Sequence, residues 1–156
     1  MVCLQETKVA DFSVPTINEL IGPDFDYSYL PSAGVLGCVL ICWRTDSWQG
    51  LPSADVAVFS ATVFLSPIHG ADVGDCGLTS VYGPTDHSLK EDFLLDLEGL
   101  ASTCTGAWLI RGDFNVLYQA QDKNNNRLNH RLMLCFCRTI DELQLAELHL
   151  TAQLYT

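Results

Sequence analysis

Basic side chains are scarce in this sequence. Eight Lys and Arg stand against nineteen Asp and Glu in 156 residues, a formal net charge of −11. That balance excludes a protein that merely wraps nucleic acid, because affinity for phosphates is carried by cations. Long apolar runs are missing too. No stretch approaches the roughly 18 consecutive apolar residues of a membrane span, and no basic leader followed by an apolar run opens the chain. A soluble, intracellular protein is expected, not secreted and with no membrane partner. Cysteine is present but unpatterned: Cys3, Cys38, Cys42, Cys76, Cys104, Cys135 and Cys137 are odd in number and never spaced as C-x-x-C. The four histidines are scattered, with no pair at metal-ligand spacing. Reduced core thiols are therefore expected in place of a zinc site or a disulfide framework.

What the chain does have is apolar material. Its 48% hydrophobic content suffices for one sizeable core, and no repeat or low-complexity linker divides it. Runs rich in β-branched and aromatic residues predict strands near 2–6, 34–43, 56–65, 77–82 and 107–111, several of them apolar on both faces as in a sheet covered on each side. Capping-box spacing from Thr16 to Glu19 and from Ser88 to Glu91 predicts two helices, and a third is predicted over 127–148. Strands and helices alternate with consecutive strands in the middle, which is a mixed α/β layered fold.

The few cations are unevenly spread. Residues 1–110 hold three basic and fourteen acidic side chains, residues 111–138 five and two, and residues 139–156 none and three. On the third helix Arg127, Arg131 and Arg138 fall within about 40° of one another, opposite Leu132, Phe136, Ile140 and Leu143. This stripe is either a solvated face or the place where an anionic partner meets the chain.

Three segments share one design, an apolar strand ending in residues able to hold a metal or a phosphate. VCLQET ends in Glu6; in LTSVYGP, Tyr82 precedes a turn forced by Gly83 and Pro84; in AWLIRGDFN, Gly112 breaks the strand and Asp113 and Asn115 follow two apart. Phosphodiester hydrolysis needs charge neutralised on the non-bridging oxygens, an activated water and help for the leaving oxygen. Magnesium favours hard oxygen ligands and keeps several waters, so Glu6 and Asp113 would be enough protein ligation. Asn115 and Tyr82 can each donate to a phosphate. Singly, a polar residue after a strand, a Gly-Asp turn and a Tyr-Gly-Pro turn are all commonplace. The signal is their joint occurrence.

These residues resemble a known family. LQET, the glycine-containing strand ending in Trp43, SVYGP and above all GDFN are similar to the endonuclease/exonuclease/phosphatase superfamily. The longer strings VYGPTDHSLKEDFLLDL, WLIRGDFNVLYQAQDKNNNRLNHRLM and ELHLTAQLYT are similar to the endonuclease domain of plant-type LINE (non-LTR) retrotransposon polyproteins. The resemblance covers residues 1–156 and implies a partial four-layered α/β sandwich of the DNase-I-like type, nicking DNA with Mg (or Mn). It implies that Glu6 binds the metal, Tyr82 stands near the scissile phosphate, Asp113 protonates the leaving group or assists the metal, and Asn115 orients the phosphate. A nuclear location, DNA as partner and a following reverse transcriptase domain are implied with it.

The family's first strand, with a metal-site Asn, and its C-terminal part, with a Ser-Asp-His motif, have no counterpart within 1–156. The chain alone is accordingly expected to be a weak or inactive nuclease, with exposed apolar surface that favours self-association. His87 in Thr85-Asp86-His87 is expected at a helix entry and takes no catalytic role. Two alternatives stand beside the nuclease: a non-catalytic remnant or interaction module that keeps part of the fold, and a phosphatase of small soluble phosphoesters.

Overall fold

A computed structural model describes residues 1–7, 9, 11–32, 38–55, 57–69, 74–118 and 129–148. The chain divides into two compact units, Met1–Asn115 and Val116–Thr156. The first contains β1 (Val2–Gln5), α1 (Val14–Leu20), β2 (Phe25–Leu30), β3 (Val39–Arg44), β4 (Trp48–Pro52), β5 (Ser60–Pro67), β6 (Cys76–Tyr82), α2 (Lys90–Ala101) and β7 (Ala107–Asp113). The second contains α3 (His130–Glu142).

The strands of the first unit form two sheets. One has the order β1-β3-β2 with antiparallel pairing throughout; the other has the order β4-β5-β6-β7, antiparallel except for the parallel pair β6 and β7. The sheets face each other across Val39, Ile41 and Trp43 of β3 and Ala61, Val63, Leu65 and Leu78 of β5 and β6. Alternation turns the other side of β3 outward, where Cys38, Leu40 and Cys42 pack with Phe12 and with Ile17 of α1. β3 is thus buried on both faces, which accounts for its continuous apolar run. On the outer face of the second sheet, the α2 residue Phe93 meets Phe59 edge to face at 5.6 Å. The Thr62 and Thr79 hydroxyls satisfy each other there at 2.8 Å, and Trp108 Nε1 donates to Thr79 Oγ1. A mixed α/β sandwich results, its layers running helix, sheet, sheet, helix.

Two strands do not announce themselves as apolar runs. β2 (FDYSYL) alternates Phe25, Tyr27 and Tyr29, packed on the α1 side, with Asp26 and Ser28. β4 (WQGLP) is an edge strand with Gly50 pressed against Trp43, leaving no room for a side chain there. The helix starts also shift. Ser13, not Thr16, caps α1 and receives the Thr16 amide, while Asp86 receives the Ser88 amide at the 3-10 turn His87–Leu89 that leads into α2. His87 lies in that turn, as expected of a helix entry. The third helix is shorter than the predicted 127–148 and is capped by Asn129. All seven cysteines are free thiols, and burial pushes Cys42 up to about 11.

If α2 closes the outer face as described, Phe93→Ala removes a fully buried ring and is expected to destabilise the chain by about 3–5 kcal/mol. Urea unfolding at constant slope measures this; a loss below about 1 kcal/mol would mean that the helix is not part of the core.

Candidate active site

The site is built at the C-terminal ends of the parallel pair. Register places Ser80 beside Arg111 and Tyr82 beside Asp113, so Tyr82 and Asp113 share one face of the sheet. That face is the one turned toward the other sheet, since Tyr82 packs against the Val39, Ile41 and Trp43 cluster. The turns that follow are laced together through Gly83. Its N–H donates to the Asp113 carbonyl at 2.7 Å, and its carbonyl accepts from Asn115 Nδ2 at 2.8 Å. A Cβ on Gly83 would lie 2.1 Å from the Phe114 carbonyl oxygen, so only glycine permits this approach.

Asn115 takes the left-handed conformation, φ 51°, which Asn tolerates better than most residues. Its N–H is received by Asp113 Oδ1 at 2.8 Å, a local side-chain turn across GDFN. The bond to Gly83 fixes which end of the amide carries the nitrogen, because a carbonyl can only accept. One N–H of Nδ2 is spent on that bond, and the amide has a second to give.

Glu6 reaches this place from the other sheet. Gln5 faces inward from β1 and its Nε2 donates to the Val81 carbonyl; Arg111 Nη1 donates to the Cys3 carbonyl at 3.3 Å. The crossing needs Gly112, φ 134°, because a Cβ there would lie 2.0 Å from the Val81 oxygen and 2.3 Å from Gln5 Nε2. Just past β1 the backbone turns at Glu6, φ 55°. Tyr82 then donates its hydroxyl to Glu6 Oε1 at 2.5 Å.

That bond, aided by burial and by the charges of Glu6 and Asp113, pushes the Tyr82 phenol up to about 12. Two carboxylates on different sheets therefore act on one hydroxyl. Among the described residues no group of three His, Cys, Asp or Glu is placed to hold a metal. The donors present are oxygens of two carboxylates, which fits magnesium, an ion that takes one or two carboxylates and retains water.

Glu6, Tyr82, Asp113 and Asn115 are thus brought together. Arg131 and Arg138 lie exposed on α3 in the second unit, where Arg138 pairs with Glu142 at 2.7 Å. Arg127 lies outside the described residues. Residue patterns gave no role to Gln5 or to Lys90, whose Nζ donates to the Asn115 main-chain carbonyl at 2.6 Å, and gave Gly83 only a turn. One signal for Lys90 was available: it stands at helical spacing with Phe93, Leu94 and Leu97, a lone cation on an apolar stripe.

Because the folded state holds the Tyr82 proton more tightly than the usual value of 10.0, its stabilising contribution is present below pH 10. It is lost as pH rises through about 12. In an ultraviolet titration read as wild type minus Tyr82→Phe, Tyr82 should ionise near 12, and Glu6→Ala should bring it back toward 10. An unchanged titration in Glu6→Ala would show that the two groups do not meet.

Neither a protein-family model nor a curated protein sequence matches the chain. Solved structures do. An AP endonuclease, LMAP from Leishmania major, superposes with a TM-score of 0.61 at 17% identity over 90% of this chain and 56% of that one. The catalytic domain of human Nocturnin gives 0.48 at 17% identity over 75% of this chain and 51% of its own. ANGEL2, a 2',3'-cyclic phosphatase, gives 0.46 at 16% identity over 74% and 39%. The chain thus spans little more than half the length of the AP endonuclease it matches. Two sheets stacked between helices, superposed over 90% of the chain, give it the DNase-I-like fold of the endonuclease/exonuclease/phosphatase proteins.

Proposed function

We propose that this chain is the endonuclease-like domain of a LINE-type retrotransposon protein, built to hydrolyse phosphodiester bonds in DNA with the help of a divalent metal and weak at it as the chain stands. The observation that carries the reading is the meeting of Glu6, from one sheet, with Tyr82 and Asp113 at the ends of two strands of the other. The likeness to an AP endonuclease supports it, as do the LQET, SVYGP and GDFN strings. In a protein of net charge −11, phosphate recognition has to be local and cation-assisted.

Glu6 and Asp113 would hold magnesium or manganese, which when bound neutralises charge on the phosphate oxygens. The remaining work falls to the chain. Tyr82 stays protonated far above neutral pH and can exchange its bond to Glu6 for one to a non-bridging oxygen. Asn115 offers the second N–H of Nδ2 to the same phosphate and is oriented for it by Gly83. Asp113, with a carboxyl oxygen already anchored by the Asn115 amide, would deliver a proton to the leaving oxygen or assist the metal. Water attacks phosphorus and gives up a proton to solvent, the bond to the leaving oxygen breaks, and that oxygen takes up a proton delivered through Asp113. Arg131 and Arg138 would add backbone contacts on DNA, and a reverse transcriptase domain would follow in the parent protein.

Supercoiled plasmid incubated with the purified chain and magnesium should be nicked slowly, and a chelator should abolish nicking. Glu6→Gln and Asp113→Asn should each slow it by about a hundred- to ten-thousandfold. No nicking by the wild type, or nicking that survives Glu6→Gln, would sink the proposal and favour a non-catalytic module. Faster hydrolysis of small phosphoesters than of DNA would reassign the substrate.

A further inference from the structure

Lys90 is in the wrong place twice over by ordinary rules. It is the first residue of α2, where the helix dipole disfavours a cation and where Glu91 and Asp92 are the conventional choices. It is also only 6% exposed, whereas lysine is almost never buried without a partner. Conflicts between local preference and position concentrate where a chain holds something in place for function.

What the ammonium holds is visible. Nζ donates to the main-chain carbonyl of Asn115 at 2.6 Å, across 25 residues of sequence. Asn115 is a left-handed residue whose N–H is received by Asp113 Oδ1 and whose Nδ2 donates to the Gly83 carbonyl. Lys90 fixes the one remaining main-chain group of that residue, its carbonyl. Amide, carbonyl and side chain are then each tied to a different anchor, and the peptide plane after Asn115 cannot rotate without breaking a charged hydrogen bond.

We propose that Lys90 is the positioning residue of the active site: its buried ammonium locks the Asn115 backbone and so aims the Asn115 side-chain amide at the phosphate. Lys90 itself is buried and acts through Asn115. The inference deepens the nuclease proposal and rests on it for its kinetic consequence only; the structural consequence stands apart.

The test compares Lys90→Met, Lys90→Gln and Lys90→Arg in the full chain. The side-chain amide pair of Asn115, identified in nitrogen-correlated NMR spectra by its loss in Asn115→Asp, should shift and broaden in the Met and Gln variants. The Arg variant, which keeps a donor cation, should restore it in part. Plasmid nicking should lose about ten- to a hundredfold in kcat with KM nearly unchanged, as for a misplaced group. An Asn115 pair unmoved in the Met or Gln variant overturns the inference. So does a kcat loss that follows thermal stability alone and is not rescued by Arg. Should Lys90→Met fail to fold, the Gln and Arg variants decide. If the wild type does not nick, the nuclease proposal fails, and the NMR comparison still decides the role of Lys90.

Discussion

The absence of one Cβ, at Gly112, is the constraint on which the site depends. Any side chain there would collide with the Val81 carbonyl and with the Gln5 amide that donates to it. Without that bond, β1 would keep a weaker hold on the end of the opposite sheet, through the bond from Arg111 to the Cys3 carbonyl and the packing of Cys3 on the intersheet cluster. Glu6, the next residue after Gln5, would then have less reason to lie against Tyr82. The glycine of GDFN does not break the strand, as its residue type suggested; it is a paired residue within β7. It opens the passage through which an acidic residue from the start of the chain reaches an aspartate more than a hundred positions later.

The same economy of space recurs one turn away. Gly83 lets two loops approach until its own N–H and C=O serve Asp113 and Asn115. Tyr82, Asp113 and Asn115 are therefore set by main-chain geometry on strand ends, which is stiffer than a site assembled on free loops. Charge follows the same plan. Glu6 and Asp113 both act on the Tyr82 hydroxyl, keeping it protonated, and concentrate negative potential where a divalent cation would be held.

Much of this was legible in the residues. β3, β5 and β6 were readable as apolar runs because burial on both faces removes polar alternation, whereas β7 was readable from its AWLI run although no residue of it is buried. β2 was not, since Asp26 and Ser28 interrupt it and its aromatic residues pack from one side only. The helix caps were misplaced by a few residues because Ser13 and Asp86 compete with equally plausible hydroxyls nearby. In the candidate site, Glu6, Tyr82, Asp113 and Asn115 stood out by type and strand-end position, and the structure brings them together. The supporting shell did not stand out: Gln5 and Lys90 act through long-range bonds to main-chain carbonyls, and a carbonyl has no identity in a sequence.

Everything in the account requires that the two carboxylates converge on one cation. Crystals of the chain soaked in manganese, with the ion located by anomalous scattering, test this most directly. The account predicts a peak coordinated by Glu6, with Asp113 and the Tyr82 hydroxyl beside it. A peak remote from Glu6, or Glu6 and Asp113 carboxylates on opposite sides of the molecule, would contradict it.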